Sequence, residues 1–217
     1  NWKKPNDIYR ILKQLTRERR QITDERTIVK NQLHAEETEA IPHFKSIERL
    51  KKRIDFLTTL EKEIKDEIKE SITGHDELII DISNICTIPG VSILTAATIL
   101  GETNGFELIR SKKQLTSYAG LDIKEKLSGT SVKGKPTISK RGNRFLRNCL
   151  HLPTLSTIKW DDNFRDQYAR IVAKHGIKMK GCGAVQRKLL ELIYVLYKNK
   201  TTYDKDYKKN SVQAQKA

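Results

Sequence analysis

The sequence predicts a mainly α-helical protein. A long heptad-patterned helical hairpin is followed by a compact helical domain with a helix-hairpin-helix-like element and a basic Ser-Gly loop. Three observations predict this. Apolar residues recur at helical spacing over two stretches near the N-terminus. Strand signals are scarce. The 217 residues are 37% hydrophobic and 32% charged, too polar for one compact ball and suited to long exposed helices.

Residues 6–34 read as one helix. Ile8, Leu15, Ile22 and Val29 fall seven apart, with Leu12, Arg19, Arg26 and Leu33 four residues after each. The two arginines weaken this seam as a simple zipper and would face either a second helix or an RNA backbone. An acidic stretch and Pro42 interrupt the pattern. A second helix spans about 43–72, with Leu50, Leu57 and Ile64 in one row and Ile47, Ile54 and Ile68 in the other. Glu61 is the polar exception in the second row. The pair predicts an antiparallel hairpin over residues 1–78, closing on itself or on another protomer.

A compact domain is expected over 79–203. It opens with Ile85-Cys86-Thr87-Ile88-Pro89-Gly90-Val91-Ser92, then Ala96, Ala97, Ile99 and Leu100. Apolar-Pro-Gly-apolar between two helices is the pattern of a turn that aims backbone N–H groups at a phosphate. That makes Pro89 and Gly90 candidate nucleic-acid contacts. Ser92 replaces the usual second glycine, so a plain structural hairpin fits as well. A short helix from Ser111 to Tyr118 ends at Gly120.

The stretch from Lys124 to Arg147 carries eight Lys/Arg and one acid, Glu125. It contains Ser128-Gly129, and Gly129, Gly134 and Pro136 exclude regular helix there. A small hydroxyl held among glycines and cations suits attack on a phosphodiester, because the cations favour an alkoxide and neutralise the phosphorane. The same stretch also suits a loop that only grips a nucleic-acid backbone. Ser131 and Ser139 are rival hydroxyls, Ser139 fitting better as the start or cap of the next helix. Lys126, Lys133, Lys135, Lys140, Arg141, Arg144 and Arg147 are candidate phosphate partners. Gly129 permits close backbone approach. Tyr118 and Phe145 fit a core better than a base-stacking platform.

Helix resumes near Ser139 or Asn143 and runs toward His151, and Pro153 is expected to start or kink the next helix. Trp160, beside Asp161 and Asp162, reads as a helix-start anchor. Residues 164–174 and 184–197 are amphipathic helices, with 176–183 a mobile basic loop carrying Lys178 and Lys180. The polar stretch 204–217 is expected to be a disordered tail.

The net charge of +15 is lopsided. Residues 1–80 hold 17 Lys/Arg against 16 Asp/Glu, and residues 81–217 hold 25 against 11. Such asymmetry points to a polyanion partner, DNA or RNA, bound more weakly as salt rises. Cys86, Cys149 and Cys182 are odd in number and apart from the histidines, so they read as reduced core residues with no metal site. No apolar run approaches the ~20 residues that span a membrane, and no signal peptide is evident. The expected location is cytoplasmic, and a chain starting at Asn1 is expected to be a fragment.

Ile88-Pro89-Gly90-Val91 with Ala96-Ala97, then Gln114-Leu115 with Tyr118-Ala119-Gly120-Leu121, then Ser128-Gly129, then Ile138-Ser139-Lys140-Arg141-Gly142-Asn143 with Leu146-Arg147, occur in this order. This series, continuing through Phe164-Arg165-Asp166 and residues 178–188, resembles the C-terminal transposase domain of insertion-sequence family one-ten. These are bridge-RNA-guided recombinases related to the pilin-gene invertase. The resemblance implies that Ser128 is the nucleophile, forming a phosphoserine link that a DNA hydroxyl later displaces during strand exchange. It also implies a RuvC-like domain binding divalent metal (Mg), supplied in cis or in trans. A noncoding guide RNA and a homo-oligomer, dimer or tetramer, held through the coiled coil are implied as well. No residues here resemble the RuvC-like domain, so the chain alone is expected to be inactive and to hold no cofactor. The alternative is a non-catalytic module for guide-RNA or DNA binding and oligomerisation.

Overall fold

A computed structural model describes residues 7–128 and 132–206, with 125–128 and 132–136 described by backbone alone. The two heptad stretches form helices α1 (Asp7–Glu37) and α2 (Phe44–Thr73), which lie antiparallel along their length. His43 starts α2, its Nδ1 accepting the Ser46 N–H at 3.1 Å. Leu12, Val29 and Ile68 are fully buried in or below the seam. The two seam arginines and the polar exception meet: Glu61 is buried and accepts from Arg19 and Lys65, each at 2.8 Å, and pairs with Arg26. The arginines therefore serve the second helix.

The base of this hairpin shares its core with the rest of the chain. Ile8, Leu12, Leu15, Ile64, Ile68 and Ile72 belong to one cluster with Ile85, Leu100, Phe106, Leu150 and Leu189. Contact is closest where α1 crosses α4 (Ile93–Thr103). A Cβ on Gly101 would lie 2.8 Å from the Lys13 backbone nitrogen. The far half of the hairpin projects outward, with Ile28, Ile41, Phe44 and Phe56 exposed.

Helix α3 (Asp76–Cys86) leads through the turn at 87–92 into α4, which Ser92 caps by accepting the Thr95 N–H at 3.3 Å. Next come α5 (Lys112–Tyr118), strands β1 (Ile123–Ser128) and β2 (Val132–Ile138), and helices α6 (Arg144–Trp160), α7 (Asp162–His175) and α8 (Lys178–Asn199). Helix α8 packs against α3, α5, α6 and α7, burying Val185, Leu189, Leu190 and Ile193.

Several local expectations change. The basic Ser-Gly stretch is an antiparallel hairpin, with Ile123 opposite Ile138, Lys126 opposite Gly134 and Ser128 opposite Val132. Its period-two alternation (Val132-Lys133-Gly134-Lys135) was masked by glycine and proline, which a two-stranded ribbon tolerates because each strand has a free edge. Helix α6 starts at Arg144, because Asn143 rather than Ser139 supplies the cap. Pro153 lies inside α6, where Thr157 Oγ donates to both Pro153 O and Pro89 O at 2.8 Å, fastening the helix to the 87–92 turn. Trp160 ends α6 rather than starting a helix, and Asp161 caps α7. Residues 178–183 are the first turns of α8, because Gly181 lets the helix lie against the Tyr168 ring, 2.7 Å from where its Cβ would be. At the C-terminal end, Lys205 pairs with Asp162 at 2.9 Å, and Tyr203 donates to buried Asp161 at 2.6 Å. Residues 207–217 lie outside the described residues.

Candidate nucleic-acid interface

The Ser128 hairpin is fastened at its base to the turn that follows α5. Ser139 N–H donates to Asp122 O at 2.8 Å, and Ser139 Oγ donates to Asp122 Oδ1 at 2.6 Å. Lys140 N–H donates to Gly120 O at 3.1 Å, and Asn143 N–H to Tyr118 O at 2.8 Å. Arg147 Nη1 reaches Ala119 O at 2.8 Å. Gly120 (φ +67°) and Gly142 (φ +142°) allow the two segments to touch, since neither position has room for a side chain.

This fastening sorts the predicted phosphate partners. Lys140, Arg141 and Arg144 are exposed, as is Lys124 at the start of β1. Lys140 is held in a left-handed conformation (φ +53°) that turns the chain from β2 toward α6. Arg147 is half-buried and donates to the protein's own backbone, and Ser139 is bonded to Asp122, so both are structural at the hairpin base. Phe145 is neither core nor open platform. Two guanidinium groups lie over its ring, Arg17 at 4.3 Å and Arg144 at 5.1 Å. Tyr118 is partly exposed and donates to Glu102 O at 3.1 Å.

The fold also brings distant residues here. Gly183 faces Ile138 at the end of β2, and Gln186 donates to Arg147 O at 3.5 Å. The first turn of α8, with Lys178 exposed and Lys180 half-buried, thus lies beside the hairpin base. Pro89 and Gly90 belong elsewhere. The Pro89 carbonyl accepts from Thr157, and the side of Gly90 that a Cβ would occupy is closed by Ser156 and Pro153 of α6. Gly129 and Ser131 lie outside the described residues, as do the side chains of Lys126, Ser128, Lys133 and Lys135.

One group was missed. Glu102 has a fully buried side chain, yet it binds Arg17 twice, at 2.6 and 2.9 Å, and accepts Asn143 Nδ2 at 2.7 Å. Its signal was a lone acid ending an otherwise apolar run, Ile93 to Gly101. The Glu102 hydrogen bond holds the Arg17 pKa above its ordinary value against a smaller desolvation effect. Burial raises the thiol pKa values of Cys86, Cys149 and Cys182, so none is poised as a thiolate at neutral pH.

Among the described residues, no three His, Cys, Asp or Glu side chains gather as metal ligands. Glu102, Asp122 and Asp161 are each engaged by protein donors. These carboxylates do not fit a divalent-metal site. Among the described residues, no helix is long and apolar enough to cross a membrane.

Residues 82–169, from α3 into α7, match the family model described as Transposase IS116/IS110/IS902 family. That segment is similar to the transposase domain of that family. The matched segment contains the whole hairpin and both segments that fasten it. Over 144 residues the chain is 28% identical to the pilin gene-inverting proteins of Moraxella lacunata and Moraxella bovis, covering 66% of this chain and 45% of each relative. Over 120 residues it is 27% identical to an insertion element IS110 protein of 43.6 kDa from Streptomyces coelicolor, covering 55% of this chain and 29% of that one. The chain therefore spans less than half the length of these relatives.

Proposed function

We propose that this chain is the C-terminal part of an RNA-guided DNA transposase or recombinase and that Ser128 is its nucleophile. The observation that carries this reading is the transposase-domain match across the entire fastened hairpin, with Ser128 ending β1 and exposed Lys124, Lys140, Arg141 and Arg144 at the hairpin's base. In the proposed step, Ser128 Oγ loses its proton and attacks a DNA phosphorus. The bond from phosphorus to one deoxyribose oxygen breaks, and that oxygen leaves as a hydroxyl. The phosphoserine diester keeps the bond energy, so an incoming DNA hydroxyl can reverse the chemistry with a different end and without a nucleotide cofactor. A RuvC-like domain, in cis or in trans, completes the site with its metal. A noncoding RNA pairs with the DNA, and the α1–α2 hairpin joins copies of the chain, its exposed Ile28, Ile41, Phe44 and Phe56 being suited to that contact.

In the complete complex, Ser128→Ala abolishes covalent protein–DNA adducts on denaturing gels while DNA affinity stays within about twofold. Equal adduct formation by the variant would overturn the nucleophile and leave the non-catalytic binding module. Replacing Lys140, Arg141 and Arg144 together by glutamine makes the plot of log K against log salt shallower by about 2 to 3, at ~0.9 per lost phosphate contact. An unchanged slope places the polyanion on another face.

A further inference from the structure

The two flanks of the Ser128 hairpin are bonded to a single residue. On the leading side, Tyr118 donates its hydroxyl to the Glu102 carbonyl at 3.1 Å. On the trailing side, Asn143 donates its side-chain amide to the Glu102 carboxylate at 2.7 Å. The same Asn143 accepts the Phe145 and Leu146 N–H groups through Oδ1, at 2.9 and 3.3 Å, and so sets where α6 begins. Its own N–H closes the ring by bonding Tyr118 O.

The third partner of Glu102 is Arg17, on the long hairpin. Its planar guanidinium meets the carboxylate side-on through Nε and Nη2, a geometry that fixes orientation as well as distance. The same guanidinium's Cζ lies over the Phe145 ring, 4.3 Å from its centroid. Arg17 thus touches both the carboxylate and the first turn of α6. A carboxylate with no solvent contact, fully engaged by two donors on different elements, cannot shift alone without losing a charge-assisted bond.

We infer that Glu102 is a positioning residue. It ties the seating of α1 on α4 to the placement of the hairpin that bears Ser128, through Arg17 on one side and Asn143 and Tyr118 on the other. The link to catalysis rests on the proposed role of Ser128; the mechanical link does not. Whatever changes how α1 sits on the body changes how the hairpin is held.

Hydrogen–deuterium exchange on this chain tests the link without requiring activity. Glu102→Gln keeps the shape and one neutral acceptor but loses the charge. The expected result is exchange about tenfold faster in β1, β2 and the first turn of α6, with α2 and α7 unchanged. Arg17→Met reproduces this pattern, and Arg17→Lys restores part of the protection. Acceleration spread evenly over all helices, or an unaltered hairpin, would overturn the inference. In the complete complex, Glu102→Gln lowers the adduct rate at saturating DNA about tenfold with unchanged DNA affinity, whereas a change in affinity alone counts against positioning. Should Ser128→Ala still form adducts while Glu102→Gln loosens the hairpin, the nucleophile fails and the positioning stands.

Discussion

Gly142→Ala is expected to destabilise the chain by about 3 kcal/mol or more, with the loss concentrated where the Ser128 hairpin meets α6. The backbone at Gly142 has φ +142°, a region that side-chain-bearing L residues rarely enter. Strain of that kind costs on the order of 1–3 kcal/mol by itself. A methyl group would also collide with the Tyr118 carbonyl oxygen, approach the Gly120 nitrogen to 2.9 Å and lie 3.1 Å from the Ser117 carbonyl oxygen. All three obstacles are backbone, so no rotamer change relieves them. Gly176→Ala is the internal control. Its φ is also positive, at +67°, but nothing lies within 4 Å of the added Cβ, so only the conformational cost of about 1 kcal/mol remains. Urea midpoints for the two variants separate the effects. Equal losses would mean that close contact at Gly142 is unimportant.

The second large effect belongs to Glu61. Burial alone would raise the pKa of this carboxyl, but hydrogen bonds from Lys65, Arg19 and Arg26 outweigh it and hold the group at about 2, against an ordinary 4.5. A carboxylate whose folded pKa is depressed contributes stability above the unfolded pKa and loses it as pH falls through the folded one. The contribution, on the order of 3 kcal/mol, is therefore full above about pH 5 and gone near pH 2. Glu61→Gln should lose most of this at neutral pH, and its stability should converge with that of the unaltered chain as pH approaches 2. Glu61→Ala should cost about 3 kcal/mol at pH 7, since it leaves Arg19 and Arg26 facing each other across the seam. Denaturation followed by helical circular dichroism at several pH values measures both. Parallel curves for the variant and the unaltered chain would show that the network is energetically idle.

Glu61 also marks what could be read from the sequence. The heptad rows place it and both arginines at seam positions, which left the arginines to face a second helix or an RNA backbone; the antiparallel packing brings them to Glu61. The α1–α2 hairpin was legible because its apolar periodicity is strong, α3 and α4 because Pro89-Gly90 reads as a turn between two helices, and α5 because Gly120 marks its end. The β-hairpin was not, because Gly134 and Pro136 read as loop and two strands of six and seven residues give little alternation to detect. The start of α8 was hidden by Gly181 and Gly183, which weaken a helix locally, and Gly181 here permits close packing on α7. At the site, the exposed cations could be listed but not sorted. Arg144 and Arg147 look alike in sequence, and only the position of the Ala119 carbonyl makes one of them structural. Glu102 was missed, since its partners lie 85 and 41 residues away.

The long hairpin also has a mechanical side. Helix α1 is pinned where Lys13 crosses Gly101, and it is tied again at Arg17, four residues or ~6 Å further along at 1.5 Å per residue. Its far end at Glu37 lies ~36 Å from the same pivot. A force applied at that end reaches the Arg17–Glu102 pair multiplied about sixfold, in the ratio of those two lengths. A rotation that moves the far end by ~3 Å shifts the guanidinium by only ~0.5 Å, which is still enough to spoil a bidentate bond. The hairpin thus has the form of a lever with its short arm on the carboxylate, so that torque applied at its tip would arrive at the base of the Ser128 ribbon.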